Sequence, residues 1–201
     1  MRKAFTLVEM LVVIGIIAVL VAASIGGFAG MTRAAENKKC QELVANTATA
    51  LTFLFQKKGM WPNVLLRDGN AAHLLDDEAA RALAAPMSLT TDGNGKLAGL
   101  DRLGLVTPWA AAVVKRRGNS ASLGDVVPGG GTIQDHILRY AIDDDGDGII
   151  RDVDVGGESV SVRATAIVWS CGKDGKNWPY SKGIKKGCSY SWTPGQTRGV
   201  K

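Results

Sequence analysis

From Met10 to Thr32 the chain carries no Asp, Glu, Lys or Arg, and beyond Thr32 the same helical rhythm becomes two-faced. About 20 consecutive apolar residues cross a bilayer core as one helix, so the first stretch predicts a membrane span. Between residues 32 and 58, Cys40, Leu43, Val44, Thr47, Ala48, Leu51 and Phe55 recur at three- and four-residue spacing, while Glu36, Lys38, Lys39, Glu42 and Lys57 lie mostly off that stripe. One long helix is therefore expected to leave the apolar stretch and enter a globular part. Gly59 supplies its C-cap and Pro62 forbids continuation. Gly26, Gly27 and Gly30 fall within it, and each costs about 0.5–1 kcal/mol relative to Ala in a helix interior. They either loosen the helix locally or let another helix approach closely.

Downstream the elements shorten. Asp76, Asp77 and Glu78 open an Ala-rich helix that stops at Pro86, and Asp92-Gly93-Asn94-Gly95 is a turn. β-Branched and alternating runs predict antiparallel strands over 111–115, 137–142 and 159–170, separated by Gly129-Gly130-Gly131 and an acidic loop. A helix whose apolar stripe meets one small antiparallel sheet gives a two-layer α+β domain.

With 201 residues and 46% hydrophobic content, the chain suffices for one membrane helix and one ordinary domain. A net charge of +5 is a mild excess that decides nothing about nucleic acid. Arg2 and Lys3 precede the apolar run, so the positive-inside bias sets the N-terminus in the cytoplasm and the domain outside. The alternative of a cleaved secretory signal suits the segment less well. It exceeds an h-region of about 7–15 residues and lacks a clean A-x-A site, with only Val21-Ala22-Ala23 and Ala29-Gly30 as weak candidates. His73 and His136 stand far apart with no nucleophile, base or phosphate loop assembled around either, so no enzymatic activity is expected.

Glu9 is the one ionisable side chain in the apolar N-terminal segment. A carboxylate at a helix centre in lipid costs about 2.5–3.5 kcal/mol on insertion scales, which makes it a functional candidate. Between packed helices such a charge favours one axial stagger, because a low dielectric strengthens a correct pair and penalises its absence. The competing reading is a charge that snorkels to the headgroups.

Lys3-Ala4-Phe5-Thr6-Leu7-Val8-Glu9-Met10-Leu11 resembles the class III signal of type IV pilins and type II secretion pseudopilins. The resemblance implies a prepilin peptidase cut between Ala4 and Phe5, methylation of the new N-terminus at Phe5, and Glu9 facing the amine of a neighbouring subunit. Ala4 stands where the family usually has Gly. The implied division is a leader over 1–4, a membrane and assembly helix over 5–32, and an extracytoplasmic domain over 33–201 that includes the helix to about 58. Lys58-Gly59-Met60-Trp61-Pro62 is similar to the Gly-x-aromatic-Pro turn of pseudopilins, and Thr107-Pro108-Trp109 to a degraded Asp-Pro-Trp-Gly loop. Trp169-Ser170-Cys171-Gly172-Lys173-Asp174-Gly175 with Ser191-Trp192 resembles the family's C-terminal strings.

What this implies is a structural subunit of a short inner-membrane fibre, the piston of a type II secretion system. Its partners would be other copies, minor pseudopilins, the prepilin peptidase, and an inner-membrane assembly platform with a cytoplasmic ATPase. The alternatives are a type IV pilin for adhesion or DNA uptake, and a signal-anchored calcium-binding module. Nucleic acid is not the expected partner: Lys182, Lys185, Lys186, Arg198 and Lys201 lack clear aromatic interleaving beyond Trp178, Tyr180, Tyr190 and Trp192.

Residues 143–154 match an oxygen-ligand loop of EF-hand type: Asp143, Asp145 and Asp147 at positions 1, 3 and 5, Gly148 at 6, an apolar residue at 8 and Asp154 at 12. The carbonyl of Ile149 can add an oxygen, and either Asp152 or Asp154 completes the set. Flanking strands make this a structural calcium clamp rather than a sensor. The bland alternative is a solvated acidic turn. Cys171 and Cys188 bracket a segment carrying Lys173, Lys176, Lys182, Lys185 and Lys186. Outside the cytoplasm a bridge between them is permitted and closes a loop worth about 3 kcal/mol in the chain-entropy model. Cys40 would then be the odd thiol, a small apolar contact on the long helix.

Overall fold

The computed structural model describes residues 7–66, 72–84, 105–117 and 121–197. Ala4, Phe5, Pro86, the turn expected at 92–95, Arg198 and Lys201 lie outside them. The chain divides into two compact units, Met1–Glu36 and Asn37–Lys201.

Helix α1 runs over Leu7–Lys58, as the patterning predicts. In the first unit its described apolar side chains, among them Leu7, Leu11, Ile14, Ile17 and Leu20, are all exposed. In the second unit its inner stripe of Cys40, Val44, Thr47, Leu51 and Leu54 is buried. Leu43, Ala48 and Phe55 from the expected stripe flank it, half-buried. Lys57 and Lys58 complement the negative end of the helix dipole. Gly59 adopts φ +69° and donates its N–H to the Phe55 carbonyl at 2.8 Å, closing the helix.

The second unit is α+β, with the long helix packed on an antiparallel sheet. Strands β1 (His73–Leu74), β2 (Arg139–Ile142), β5 (Ala166–Ser170) and β6 (Ser189–Tyr190) form this sheet in the order β1-β2-β5-β6. A separate hairpin joins β3 (Ile150–Val155) to β4 (Glu158–Val162). All five residues of β5 are buried, as expected of a strand covered on both faces. Ala166 and Val168 enter the core with α1, and Ile167 and Trp169 enter a second core with the hairpin and Trp192. The expected two layers thus become a sheet with packing on both sides.

Two local expectations fail for physical reasons. The strand expected over 111–115 is part of helix α3, Pro108–Arg117, following α2 at Asp77–Ala84. Pro108 at the first helical position, three consecutive alanines and a basic last turn outweigh Val113 and Val114, which the helix buries beside Trp109 and Ala110. The single strand expected over 159–170 is two, because the chain leaves the hairpin at Val162 and enters the sheet at Ala166. Helix α2 does start at the acidic cluster, with the Asp76 carboxylate accepting the Ala79 N–H at 3.1 Å.

Gly156 and Gly157, at φ +63° and +85°, make the two-residue turn of the β3–β4 hairpin. Such turns need positive φ at both central residues. A Cβ on Gly156 would also meet the backbone of Asn177 and Trp178, whereas one on Gly157 would enter open space. Gly157→Ala should therefore cost about 1 kcal/mol from backbone conformation alone. Gly156→Ala should cost clearly more, read as a lower denaturation midpoint. Equal midpoints for the two variants would contradict the packing of this turn on 177–178.

Candidate functional site

The acidic loop is the bend between β2 and β3, and its first carboxylate organises it. Asp143 follows Ile142 out of the sheet and is only 3% exposed. Its Oδ1 accepts the Gly146 N–H at 2.9 Å and its Oδ2 the Gly148 N–H at 2.8 Å. Gly146 and Gly148 hold φ +75° and +83°, which lets the chain fold back over the carboxylate. Asp145 Oδ1 accepts the Asp147 N–H at 3.2 Å, and Asp147 Oδ1 the Ile149 N–H at 2.8 Å. From below, Trp61 donates its indole N–H to the Asp143 carbonyl at 2.6 Å, and its ring lies 4.8 Å from that of Phe55. The turn after α1 thus anchors the loop.

Asp143, Asp145 and Asp147 present one carboxylate oxygen each within 4.8 Å of one another. Two oxygens bound to one calcium at about 2.3–2.6 Å are at most about 5 Å apart, so this triad can hold a metal. The other expected ligands are placed elsewhere. Asp152 sits at the hairpin irregularity with φ +53°, its carboxylate accepting from the Ser159 hydroxyl at 3.2 Å. Asp154 Oδ1 accepts the Gly157 N–H at 2.6 Å and so serves the hairpin turn. The cause is the strand that begins at Ile150: at about 3.3 Å per residue it carries Asp154 some 13 Å onward, where a helix would curl back. Ile149 follows the triad directly, its N–H held by Asp147.

Electrostatics divide the triad. Burial, followed by the neighbouring Asp145, raises the Asp143 carboxyl above its ordinary value. Arg151 lowers Asp147 by donating to it, and its guanidinium lies 3.8 Å from Asp145. No expectation from the sequence included Arg151, although it directly follows the loop's apolar pair Ile149-Ile150. An entering cation must displace or share with this guanidinium.

The remaining candidates are distributed. His136 is buried: its Nε2 donates to the Gly130 carbonyl at 3.0 Å, so its Nδ1 accepts from the Thr107 hydroxyl at 2.9 Å. Burial holds its imidazole below the ordinary value. It ties the start of α3 to the glycine loop and is a packing residue. Cys40, Cys171 and Cys188 are buried free thiols, so the expected bridge is not formed in the structure. Tyr180 stacks on Trp192 at 5.4 Å and Tyr190 meets both rings edge-on at 4.9 Å, so the three aromatics pack on one another.

At the other end of the chain, Glu9 lies in the first described turn of α1, surrounded in sequence by exposed apolar side chains. Among the described residues, no helix is long and apolar enough to cross a membrane; the side chains of 23–29 lie outside the description.

Residues 1–25 match the prokaryotic N-terminal methylation motif. No curated protein and no solved structure matches the chain. The methylation motif is the class III signal typical of the type IV pilin and pseudopilin superfamily, and it implies a membrane-anchored precursor processed by prepilin peptidase. The motif leads into α1, which packs its second half on an antiparallel sheet in the α+β arrangement of pilin-like domains.

The divided triad has a pH signature. Asp143 has a raised folded value, so its contribution is fully present below the ordinary 3.8 and is lost as pH rises through the folded value. Asp147, depressed by Arg151, acts oppositely: its contribution is present above 3.8 and lost as pH falls through its folded value. Asp145→Asn removes a like charge beside Asp143. In metal-free protein it should flatten the loss of stability on raising pH from about 4 to 7, read as denaturation midpoints across that range. A steeper loss in the variant would contradict the assigned repulsion.

Proposed function

We propose that the chain is a pseudopilin, a structural subunit of a type II secretion pseudopilus. The observation that carries this reading is the methylation motif over residues 1–25, on a helix whose first half is apolar on every side and whose second half is amphipathic. An all-round apolar helix needs lipid or neighbouring helices to cover it. The prepilin peptidase cuts between Ala4 and Phe5, Phe5 is methylated, and α1 is held in the inner membrane with the N-terminus cytoplasmic and the domain outside. During extrusion by an assembly platform and its ATPase, Glu9 pairs with the Phe5 amine of a neighbouring copy and sets the stagger between helices.

The second reading, a type IV pilin for adhesion or DNA uptake, shares the same motif and helix. The basic segment at 173–186 favours it, whereas the packing of Tyr180, Tyr190 and Trp192 against one another disfavours single-strand recognition.

Calcium is the metal we assign to Asp143, Asp145 and Asp147. The donors are hard carboxylate oxygens, which suit calcium better than softer-liganded metals. Bound there, it would neutralise the repulsion at Asp143 and pin the β2–β3 bend to the end of α1 through Trp61.

Mass spectrometry of membrane-extracted protein should find a chain beginning at methylated Phe5. An intact Met1 in cells with active peptidase would remove the pilin reading. Glu9→Ala should insert normally but give lost or misregistered fibres in electron micrographs, and unchanged fibres would reduce Glu9 to a snorkelling charge. Calcium should raise the melting temperature of the purified chain, chelator should reverse this, and Asp145→Ala should abolish the response. A melting temperature indifferent to both would leave the loop a solvated turn.

A further inference from the structure

The sheet has an acidic end and a basic end, and α1 sets which is which. Where β2 leaves the sheet, Trp61 just beyond α1 donates its indole N–H to the Asp143 carbonyl at 2.6 Å. Where β5 leaves it, Ser170 Oγ lies 3.1 Å from Sγ of Cys40, at the start of the helix's buried stripe. The antiparallel register of Arg139 with Trp169 and of Ile142 with Ala166 keeps these two exits at opposite ends. Residues 173–186 follow the Ser170 exit. They carry five lysines against the single acid Asp174, so their net +4 is most of the chain's +5. All five lysines are exposed. Many charge runs are merely solvated faces, but this one is held in place and interleaved with apolar side chains.

The segment is fixed to the second core. Asn177 Oδ1 accepts the Trp169 indole N–H at 3.2 Å, Glu158 accepts the Ser181 N–H at 2.8 Å, and the Gly183 carbonyl accepts the Cys188 N–H at 2.9 Å. Asp174 is engaged locally, accepting the Lys176 N–H at 3.1 Å and the Trp178 indole N–H at 2.8 Å. Lys176 and Lys186 come from separate parts of the segment and meet at one ring, their ammonium groups 5.9 and 4.9 Å from the centre of Trp178. Between Lys182 and Lys185 stands Ile184, 61% exposed. Lysines around an exposed aliphatic side chain, with Trp178 and Tyr180 half-buried beside them, make the composition of a lipid–water interface: rings at headgroup level, an apolar side chain below them, ammonium groups among phosphates. Single-stranded nucleic acid fits less well, because Tyr180, Tyr190 and Trp192 pack on one another instead of offering faces to bases.

We propose that residues 173–186 dock on an anionic lipid leaflet, with Lys182, Lys185 and Lys186 among the headgroup phosphates and Ile184 inserted between them. This rests on the membrane-anchored precursor that the N-terminal motif implies. Cys40 follows the end of the charge-free run at Thr32 by eight residues, at most about 28 Å of chain even fully extended. The basic end of the sheet is thus tethered close to the bilayer, whereas α1 carries the acidic end about 27 Å farther along its axis, from Cys40 to Lys58. An anionic leaflet attracts lysines only within about a Debye length, ~10 Å at about 0.1 M salt, so the short tether is what makes the attraction effective. The same surface repels Asp144 and Asp145, both exposed in the acidic loop, and so favours one orientation of the domain. A subunit waiting in the membrane therefore rests its basic end on the leaflet. Joining a fibre breaks that contact, and lipid charge sets how readily the subunit leaves.

The test uses the full chain in nanodiscs of phosphatidylcholine, with or without phosphatidylglycerol, pulsed with an amine-reactive ester and read by peptide mass spectrometry. With the anionic lipid, Lys182, Lys185 and Lys186 should label at least about threefold more slowly at about 0.1 M salt, and the difference should vanish at about 1 M. Lys57 and Lys58, exposed at the acidic end, should label equally in both discs. Equal rates at Lys182, Lys185 and Lys186 in incorporated chain overturn the proposal and leave the anchor standing, whereas a chain that enters neither disc overturns the anchor and the proposal with it. Equal slowing at Lys57 and Lys58 overturns the assigned orientation. Ile184→Asp alters an exposed side chain and should remove most of the protection, and unchanged protection overturns the insertion of Ile184. Protection that is the same in uncharged discs and rises with the number of copies per disc assigns the surface to the acidic loop of a second copy, and overturns the lipid assignment.

Discussion

Burial of one helix stripe against one sheet is the constraint on which the globular unit depends. Cys40, Val44, Leu51 and Leu54 share a core with Tyr140, Ile142, Ala166 and Val168, and truncating a residue such as Leu51 to Ala in a site of this kind costs about 2–5 kcal/mol. The helix is continuous, so the seating of its second half also fixes where Gly59 ends it and where Trp61 begins the return. Trp61 is the consequence with functional weight. Its ring stacks on Phe55 and its N–H holds the Asp143 carbonyl, so the acidic loop is built onto the end of the helix.

The acidic loop and the basic segment sit at the two ends of the β3–β4 hairpin. The loop feeds β3 at Ile150, while the hairpin turn at Gly156 abuts Asn177 and Trp178 among the lysines. Within the loop the counter-charge comes from Arg151. It neutralises Asp147 and lies close to Asp145. The loop thus carries a partial internal counter-charge, and a metal there competes with a guanidinium as well as with water. The three carboxylates consequently differ in role: Asp143 is buried and structural, Asp145 supplies the repulsion, and Asp147 is shared with Arg151.

The second core explains the C-terminal region. Trp192 meets Trp169 edge-on at 5.9 Å, and Tyr180 stacks on Trp192 at 5.4 Å, so aromatics that look like an interaction surface in sequence cover the outer face of β5. Lys176 and Lys186 in turn lie 5.9 and 4.9 Å from the centre of the Trp178 ring, keeping it from presenting a bare stacking face.

The N-terminal signal, the extent of α1, its stripe, its Gly59 stop and the cap at Asp76 were legible in the sequence because each rests on neighbours within a turn or two. The acid triad was legible for the same reason: Asp143, Asp145 and Asp147 converge through hydrogen bonds spanning at most five residues. What the sequence left open depended on contacts across long separations. Val113 and Val114 read as strand until the Pro108 start and burial of one face made them helix. Asp152 and Asp154 read as ligands until pairing with β4 drew them into a hairpin. The cysteines read in sequence as a bracketing pair and an odd thiol, and only the tertiary structure buries all three as free thiols and sets Cys40 against Ser170 of β5. Local spacing fixes what a residue can do, but strand register decides which partner it meets, because shifting a strand by one position turns every side chain to the opposite face.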